Sequence, residues 1–465
     1  MPATVIFHQA DVTRFAALSG DFNPVHIDPV QARDEMFGQT IVHGIFCCLR
    51  MLDVVAGKSA PGTASLLPAK LDIRFLAPVL PDTPYGVEVV ETTDLTQIQL
   101  QQGGTILVRM LCQHPMHAGA PATSPEPPDE LWTPTAPCPM PAPATEPAGT
   151  WEPKLHRVTF DCLFPHLSSR LGLAAATDLL ACSRLVGMLH PGRYSLFSQL
   201  TLQPAPHPAP AIHYQQKRWD ARFALVDLTF AGRVLAGSIR AFVRPAPVPI
   251  PSMQQACASI APTLFGGMHV LVVGGTTGLG AATAMLLAAA GANVTLTYAH
   301  RQDAAHTIVD AIREAGALAR ALPFDCANPM LPPNIDPPNW IFYFATPRIF
   351  RTRNGPFDES VFADFLQYYV TALARLANTF PHANLFYPSS VAVENPVRGL
   401  AEYAAAKFAG EQLCHEMQCA QPSRKAWIER LPRIQTNQTL AIGAPPAPDA
   451  LPVMADVLQR MARKL

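Results

Sequence analysis

The sequence predicts a multidomain chain in which two copies of one fold precede a parallel, doubly wound α/β domain. Three observations predict it. Two proline clusters divide the 465 residues into three segments, and short sequence matches relate the first two. The third segment alternates apolar strands with a long Ala/Leu helix, which is typical of βαβ units. A chain of this length exceeds one ordinary hydrophobic core.

The composition is that of a globular protein. Apolar residues make up 49% of the chain and charged residues 15%, which allows large buried cores. The net charge of -1 gives no basic surface for nucleic acid or anionic lipid, so we expect neither as a partner. The ten cysteines show no CxxC spacing and no secretory signal opens the sequence, which favours a reduced, cytoplasmic setting. No motif predicts a metal site.

One uncharged stretch, 278–299, has about the length of a membrane span. The tripeptide Gly-Ala-Asn at 291–293 interrupts it, and β-branched residues follow. This pattern predicts a buried helix, a stop and a buried strand, and we therefore expect no membrane helix.

Proline marks the boundaries between the segments. Eleven prolines lie between Pro115 and Pro147, and four more lie between Pro245 and Pro251. A segment this poor in apolar periodicity cannot offset its ordering entropy by burial, so it reads as a semi-extended linker. We expect domains at residues 1–113, 151–250 and 264–465, with the linker at 114–150.

The first two segments share short matches that predict an internal repeat. Residues 61–66 and 191–196 have four identities at an offset of 130, and residues 104–107 match 232–235 at an offset of 128. The helix-like runs and strands around these matches follow the same order in both segments, which indicates two copies of one fold.

The first segment carries an acid–base pattern. Asp21 and His26 flank an Asn-Pro turn that can fold the two side chains together. A carboxylate beside an imidazole can activate water or move a proton near neutral pH. The tetrapeptide Ile-Val-His-Gly at 41–44 then opens an apolar helix, where the Gly44 amide can donate to a developing enolate oxygen.

The run 15–29, with Gly44 at its expected distance, resembles the MaoC-like (R)-specific enoyl-thioester hydratase family over roughly the first 110 residues. The resemblance implies a hot-dog fold, in which a curved antiparallel sheet wraps a long helix. It also implies that Asp21 and His26 activate water for addition to a trans-2-enoyl thioester, or catalyse the reverse dehydration, while the Gly44 amide polarises the thioester carbonyl. The division of the two protons between Asp21 and His26 stays open. The implied substrate is an acyl-CoA or acyl-carrier-protein thioester.

The second segment offers Asp161 and His166 at the same spacing but without the Asn-Pro frame. We interpret this pair as structural. Double hot-dog hydratases are similar in keeping one active and one degenerate half, so we expect residues 151–250 to form a degenerate hot-dog domain that widens the acyl tunnel.

The third segment carries a glycine-rich turn. The sequence GGTTGLG at 274–280 follows an apolar strand and opens a helix, a context in which backbone amides bind a pyrophosphate. The residues expected to contact the cofactor there are Gly274, Thr276, Thr277, Gly278 and Leu279. The next strand ends at His300 and Arg301 instead of the carboxylate that binds the ribose of NAD, which favours NADP over NAD.

A second acid–base pattern lies near the C-terminus. Tyr403 and Lys407 share one helix face, and Ser390 ends an apolar strand thirteen residues before Tyr403. A nearby ammonium favours the phenolate, so we expect Lys407 to lower the pKa of Tyr403 towards neutrality.

With the glycine turn upstream, these residues resemble the short-chain dehydrogenase/reductase family from about Gly267 to the C-terminus. The resemblance implies that Tyr403 protonates the alkoxide, Lys407 binds the nicotinamide ribose and Ser390 holds the carbonyl oxygen. It also implies dimerisation through the reductase helices, giving a possible homodimer. Further cofactor-binding positions implied are Asp325 at the adenine, Ala345 at a strand end and Thr436 at the carboxamide.

Three positions depart from that family. Residues 344–346 read Phe-Ala-Thr instead of Asn-Ala-Gly, and Tyr369 stands where a relay asparagine is expected. Pro432 is followed by Arg433 instead of glycine. These changes put the proton relay and the nicotinamide-side loop in question, and they leave the Ser-Tyr-Lys set intact.

Both chemistries act on the β-carbon of an acyl chain. We therefore expect NADPH-dependent reduction of a 3-oxoacyl thioester followed by dehydration of the (R)-alcohol, as in fatty-acid or polyketide assembly, because fusing consecutive steps raises the local concentration of the intermediate. Two alternatives stay open. One is the β-oxidation direction with NAD, and the other is a hydratase joined to a nucleotide-binding domain without turnover.

Overall fold

The computed structural model describes residues 3–58, 68–116, 126–139, 147–328, 330, 335–350 and 356–464. The chain divides into two compact units. The first comprises Met1–Ala246 with Ala441–Ala444, and the second comprises Pro247–Leu440 with Pro445–Leu465. The predicted fold class is confirmed, since the first unit holds an antiparallel sheet with helices and the second a parallel sheet. Residues 61–66 of the predicted repeat lie outside the described residues.

The first unit contains ten strands and seven α-helices among its described residues. The strands are β1 (Ala3–Ile6), β2 (Pro68–Phe75), β3 (Pro84–Glu91), β4 (Leu95–Gln102), β5 (Thr105–Met116), β6 (Ala148–Trp151), β7 (Ser195–Pro204), β8 (Ile212–Asp220), β9 (Leu225–Ala231) and β10 (Leu235–Val243). The helices are α1 (Gln9–Ser19), α2 (Pro24–Ile27), α3 (Pro29–Asp34), α4 (Gly44–Lys58), α5 (Arg157–Leu163), α6 (Ser168–Leu171) and α7 (Leu173–Arg184). A π-helical turn, Leu185–Leu189, continues α7.

All ten strands join one antiparallel sheet in the order β1-β3-β4-β5-β2-β7-β10-β9-β8-β6. Read outward from the centre of the sheet, the first half has the order β2-β5-β4-β3-β1 and the second half has the matching order β7-β10-β9-β8-β6. The two halves meet at β2 and β7, where Leu71 pairs with Leu202 and Ile73 pairs with Leu200. The second half thus repeats the topology of the first.

One face of this sheet packs on the long helices α4 and α7. Strand β4 alternates buried and partly exposed residues, with Ile98 and Leu100 turned to the core. Helix α4 is buried along most of its length, as expected for a helix that a sheet encloses. Both halves contribute to one hydrophobic cluster.

Both ends of the predicted linker, 114–150, lie in strands, since β5 extends to Met116 and β6 begins at Ala148. Between them, residues 126–139 form no helix or strand and pack within the first unit. The amide of Trp132 donates to Ala17 O at 2.9 Å, and the amide of Cys138 donates to Met188 O at 2.8 Å. The guanidinium of Arg184 lies 3.8 Å from the centroid of the Trp132 ring. This part of the predicted linker is therefore packed against the domain.

The second unit has six strands among its described residues, namely β11 (His269–Val273), β12 (Asn293–Tyr298), β13 (Ala319–Pro323), β14 (Trp340–Tyr343), β15 (Asn384–Ser390) and β16 (Ala426–Leu431). Its helices are α8 (Met253–Ser259), α9 (Gly278–Ala289), α10 (Gln302–Glu314), α11 (Glu359–Leu366), α12 (Leu373–Thr379), α13 (Ala401–Ala420) and α14 (Ala450–Ala462). A π-helical segment, Gln367–Ala372, joins α11 to α12, and a short 3-10 helix, Val391–Val393, follows β15.

The six strands form a parallel sheet in the order β13-β12-β11-β14-β15-β16. Val270 and Val272 of β11 belong to one hydrophobic cluster, while Leu271 and Val273 belong to another. A strand whose alternate residues enter two cores is covered on both faces, as in doubly wound sheets.

The uncharged stretch 278–299 forms helix α9 and strand β12, as predicted. Gly291 supplies the stop, with a left-handed φ of 87°. Across the described residues, we find no helix whose length and apolar character suit a membrane crossing. All ten cysteines are described and none is disulfide-bonded.

Candidate active sites

The loop that carries Asp21 and His26 is built by helix caps. Helix α1 ends at Gly20, whose φ of 75° allows a left-handed cap. Asn23 then caps α2 by accepting from the amide of Val25, and Pro24 occupies the first helical position. The predicted Asn-Pro turn is therefore the start of a one-turn helix, which turns His26 back towards Asp21.

The tautomer of His26 follows from its contact with a backbone carbonyl. Nδ1 lies 2.8 Å from Ile41 O, and because a carbonyl only accepts, Nδ1 carries the hydrogen and Nε2 is left as an acceptor. Burial, assisted by the neighbouring His43, lowers the pKa of His26 to about 3. The imidazole is therefore neutral near pH 7.

The Asp21 carboxyl is buried, with 3% of its surface exposed. The Ser183 hydroxyl donates to Oδ2 at 2.7 Å, and the amide of Asn23 donates to Oδ1 at 3.3 Å. Burial raises the pKa of Asp21, although His26 and Ser183 act in the opposite direction. Asp21 therefore holds a proton at higher pH than an exposed aspartate does.

His43 belongs to the same cluster, and the sequence analysis missed it. Its ring stacks on that of His26 with centroids 3.8 Å apart, and its Nε2 donates to Asp21 O at 2.9 Å. Burial lowers the pKa of His43 to about 3. Polar atoms of the three side chains lie within 4.8 Å of one another, a spacing that also suits a metal ion. One ring nitrogen of each histidine already donates to a carbonyl, and we interpret the group as an acid–base cluster. Its only sequence signal was the position of His43 directly before Gly44.

Asp21, His26 and Gly44 line one cavity of about 260 Å³. Its walls are mostly apolar and include Val25, Phe37, Val42, Phe75, Val79 and Phe197. The ring of Phe75 packs directly on Gly44, where a Cβ atom would lie 2.8 Å from the ring. Glycine at this position therefore lets an aromatic wall approach the start of α4.

The second half of the sheet completes this cavity with residues that the sequence analysis did not single out. Ser183 lines it from α7, and Gly187 lines it from the π-helical turn that follows. A Cβ atom on Gly187 would overlap the Asp21 carboxylate, so glycine is required there. The side-chain amide of Asn23 also donates to Gly187 O and Arg193 O, each at 3.0 Å. The loop of one half is thus held by the other.

Asp161 and His166 do not form a comparable cluster. Asp161 pairs with Arg157 at 3.8 Å on the surface of α5. His166 is exposed, and its backbone amide donates to Asp53 Oδ1 at 2.8 Å. These contacts agree with the structural interpretation of the pair.

In the second unit, the glycine-rich turn brings several predicted residues together. Gly274 and Gly278 have left-handed φ values of 76° and 53°. A Cβ atom on Gly274 would lie 2.8 Å from Ala345 N, and one on Gly278 would lie 3.3 Å from Thr436 Cγ2. The turn therefore contacts Ala345 and Thr436 closely. The same turn carries Thr276, Thr277 and Leu279.

The remaining cofactor candidates follow the ends of neighbouring strands. Exposed His300 and half-buried Arg301 come directly after β12, and Asp325 comes after β13. The Asp325 carboxylate accepts from the amide of Ala327 at 2.9 Å. Because carboxyl ends of parallel strands share one edge, these residues lie on the same edge as the glycine turn, where such sheets bind ligands.

Ser390, Tyr403 and Lys407 are assembled as the spacing predicted. Ser390 ends β15 and its side chain hydrogen-bonds the Tyr403 hydroxyl. The Lys407 ammonium lies 6.0 Å from the centroid of the Tyr403 ring and donates to Pro388 O at 2.7 Å.

The predicted electrostatics of this pair are wrong. Burial raises the pKa of Tyr403, and only its hydrogen bond to Ser390 acts against that shift. Burial also lowers the pKa of Lys407 to about 7, so the ammonium is itself only partly charged near neutrality. Desolvation outweighs the attraction between ammonium and phenolate that the sequence suggested.

The three departures have definite surroundings. The Tyr369 hydroxyl lies 2.5 Å from Thr346 Oγ1, so two of the altered positions contact each other. Phe344 packs in the core against Phe386. The Arg433 guanidinium donates to Pro445 O at 2.6 Å and to a second carbonyl, Thr439 O, at 2.7 Å, and it braces the loop after β16.

Comparisons with known proteins agree with this division of the chain. Residues 1–108 match the family described as MaoC like domain, and residues 268–330 match the short chain dehydrogenase family. The chain is 34% identical over 93 residues to the (R)-specific enoyl-CoA hydratase of Aeromonas caviae, covering 20% of this chain and 65% of that protein. It is 41% identical over 73 residues to elsinochrome reductase 1 of Elsinoe fawcettii, covering 16% of this chain and 27% of that protein.

Among solved structures, a short-chain dehydrogenase from Burkholderia cenocepacia J2315 in complex with NADP is similar at a TM-score of 0.37 and 22% identity. That match covers 43% of this chain and 91% of the other. The chain spans less than two thirds of either curated relative. The two family matches therefore show that the chain carries a MaoC-like dehydratase domain at residues 1–108 and short-chain dehydrogenase sequence at residues 268–330.

Proposed function

We propose that this chain is a bifunctional enzyme that reduces 3-oxoacyl thioesters with NADPH and dehydrates the resulting (R)-3-hydroxyacyl thioesters. The observation that carries the proposal is that Asp21, His26 and Gly44 line the same apolar cavity. An acyl chain fits apolar walls, and the polar groups at one place in them can act on its reacting end.

In the hydratase domain, the opposite pKa shifts of Asp21 and His26 support different roles for the two residues, one as general acid and one as general base. Neutral His26 accepts a proton from water at Nε2 as the oxygen attacks the β-carbon, and Asp21, whose pKa burial raises, gives a proton to the α-carbon. In dehydration the proton that the pair shares first moves from Asp21 to His26. The Asp21 carboxylate then takes the α-proton while His26 gives its proton to the leaving hydroxyl, which departs as water. In both directions the Gly44 amide stabilises the enolate oxygen.

In the reductase domain, the residues fit a nicotinamide cofactor. Gly274 and Gly278 adopt left-handed backbone that glycine favours, and their neighbours approach too closely for a side chain at Gly274. His300 and Arg301 add donors at the end of β12 that suit a 2′-phosphate, which favours NADPH. When bound, the cofactor supplies the hydride.

The protonation of Tyr403 supports the reductive direction. A raised pKa keeps the phenol protonated at neutral pH, so Tyr403 is ready to give a proton to the alkoxide that forms from the carbonyl. Ser390 holds that oxygen, and Lys407 orients the cofactor ribose. Oxidation of an alcohol with NAD would require the phenolate, which this environment disfavours.

The two reactions are consecutive. The alcohol that leaves the reductase is the substrate of the dehydratase, so their presence in one chain raises the local concentration of the intermediate. We place them in fatty-acid or polyketide-type assembly, with the acyl group on CoA or a carrier protein.

The test is to offer acetoacetyl-CoA and NADPH and to follow nicotinamide absorbance together with the mass of the product. We expect NADPH oxidation and crotonyl-CoA. Asp21→Asn should stop the sequence at 3-hydroxybutyryl-CoA, whereas Tyr403→Phe should abolish NADPH oxidation yet still hydrate crotonyl-CoA. Unchanged NADPH oxidation by Tyr403→Phe would overturn the reductase assignment.

A further inference from the structure

The ammonium of Lys407 is enclosed mainly by aromatic faces. The side chain is buried, with 6% of its surface exposed. Of the described residues, Pro388 is the only one whose oxygen accepts a hydrogen bond from Nζ, at 2.7 Å. The rings of Tyr369, Tyr387 and Tyr403 surround the ammonium, with centroids 4.1, 4.9 and 6.0 Å from Nζ. Tyr369 is the closest of the three.

The Tyr369 ring is fixed at both ends. Thr346 Oγ1 lies 3.0 Å from Pro347 O and 2.5 Å from the Tyr369 hydroxyl, so the phenol end of the ring is held by Thr346. The ring also stacks on Phe365, with centroids 5.7 Å apart and planes at 7°. The hydroxyl is therefore held at Thr346 and the ring packs on Phe365, with Lys407 Nζ over the ring at 4.1 Å from its centroid.

The backbone around Tyr369 is unusual in a way that fits a local function. Residues Gln367–Ala372 form a π-helical segment between α11 and α12. Such segments insert a residue into a helix and occur often at functional sites. Here the inserted turn carries the ring that covers the ammonium.

We propose that Tyr369 is a positioning residue for the reductase, holding the Lys407 ammonium charged and in place against its ring face. The electron-rich face of an aromatic ring attracts a cation, and the attraction is strongest where water is excluded. The inference rests on the proposed reductase function for its catalytic consequence, while the contact itself is independent of that function.

The charge balance around Lys407 makes this contact decisive. Burial lowers the pKa of Lys407 to about 7, and the Glu411 carboxylate acts against that shift from the same helix. The neighbouring Cys414 thiol is uncharged near neutrality, because burial raises its pKa to about 12. Glu411 is already paired with Arg430 at 2.6 Å and also accepts from Ser389. With the pKa so near neutrality, a modest change in ring attraction changes the charged fraction several-fold.

The sharpest test replaces Tyr369 by phenylalanine and then by phenylalanines carrying one, two and three ring fluorines. Fluorine withdraws electron density from the face and leaves ring size nearly unchanged, so only the attraction to the cation is graded. The chain has only seven lysines, and the titration of Lys407 can be followed by NMR of labelled lysine side chains. We expect its midpoint to fall stepwise, by roughly one pH unit over the series.

A midpoint that does not change across the fluorinated series would overturn the proposal. The matched control is the same series at Phe365, which stacks on Tyr369 but is not among the rings around Lys407. We expect no stepwise change there. An equal response at Phe365 would assign the effect to general packing and would also overturn the proposal.

Activity provides the second readout. If reduction needs charged Lys407, the high-pH limb of NADPH-driven reduction should move to lower pH in step with the NMR midpoint. Hydration of crotonyl-CoA by the same chain should not move. The chain could reduce no 3-oxoacyl thioester while the NMR midpoint still falls along the fluorinated series. That result would reject the proposed function but would support the contact between Tyr369 and Lys407. An active chain with unmoved profiles would reject the role of Tyr369.

Discussion

The two halves of the antiparallel sheet use the same framework for different purposes. In each half, a polar side chain on the long helix contacts the loop of the other half. Ser183 of α7 donates to Asp21 at 2.7 Å, and Asp53 of α4 accepts from the amide of His166 at 2.8 Å. The positions correspond, because residues 53 and 183 differ by the same 130 as the sequence match that predicted the repeat.

A glycine follows each of these side chains by four residues. Gly187 approaches the Asp21 carboxylate so closely that a Cβ atom would overlap it, while a Cβ atom on Gly57 would lie 2.9 Å from the His166 ring. The two halves thus make contacts of the same kind at corresponding positions, but the carboxylate is on opposite partners of the contact. In one half the loop contributes a buried carboxylate, and in the other the helix contributes the carboxylate and the loop only a backbone amide. The contact geometry is shared by the two halves, and only the half whose loop carries the buried carboxylate is equipped for acid–base chemistry.

The largest contrast should come from the two Asp–His pairs. Asp21→Asn or His26→Gln should slow hydration of crotonyl-CoA by about 100- to 10,000-fold, the usual contribution of a general acid or base. Asp161→Asn and His166→Gln are the matched changes in the second half, and they should stay within about twofold of wild type. Loss of enoyl absorbance measures both. A comparable loss from the second pair would mean that both halves are active.

The two glycines give the next contrast. Gly187→Ala should displace the Asp21 carboxylate and reduce kcat by about 100-fold, because misplacing a catalytic group by about an ångström costs that much. Gly57→Ala meets only the edge of an exposed imidazole that can move away, so kcat should change by less than about threefold. Equal kcat values for the two variants would show that Gly187 imposes no constraint on Asp21.

A smaller effect is expected from the polar side chains that cross between halves. Ser183→Ala removes one hydrogen bond to a buried carboxylate and should lower kcat about tenfold, with little change in stability. Asp53→Ala should instead lower the free energy of unfolding by about 1–2 kcal/mol and leave kcat unchanged. Steady-state kinetics and denaturant unfolding of both variants separate the two outcomes. The comparison fails if Asp53→Ala impairs catalysis as much as Ser183→Ala.

The smallest expected change concerns pH. An exposed histidine is half protonated near pH 6.5, but burial lowers the pKa of His26 to about 3. A general base works in its neutral form, and His26 should stay neutral as the pH falls from 7 to 5. Protonation of His26 should therefore cause no decline in kcat/KM for hydration over this range. A decline with a midpoint between pH 6 and 7 would show that His26 is solvated in the working enzyme.

The sequence predicted what depends on short spacing. Asp21 and His26 lie on one capped loop, and Tyr403 and Lys407 lie one helical turn apart, so local geometry alone brings each pair together. The glycine turn was equally accessible, because a strand before it and a helix after it fix its context.

The remainder depends on contacts that are distant in the sequence or on burial. Ser183 reaches Asp21 across 162 positions, and no local pattern records that contact. The lowered pKa of Lys407 was missed for another reason. The sequence shows that a lysine is present, but it does not show that the side chain is buried away from water. In the sequence, Thr346 and Tyr369 are two separate departures from the family pattern, but in the structure their hydroxyl oxygens lie 2.5 Å apart.

The junction between β2 and β7 has a consequence for how the first unit behaves in solution. Ladder pairs such as Leu71 with Leu202 and Ile73 with Leu200 lie within one chain, so dilution cannot separate the halves. Specific hydratase activity should therefore be the same at nanomolar and micromolar enzyme. A first half produced alone would expose β2 as an open edge prone to pairing with other chains, and it would lack the wall that Ser183 and Gly187 supply.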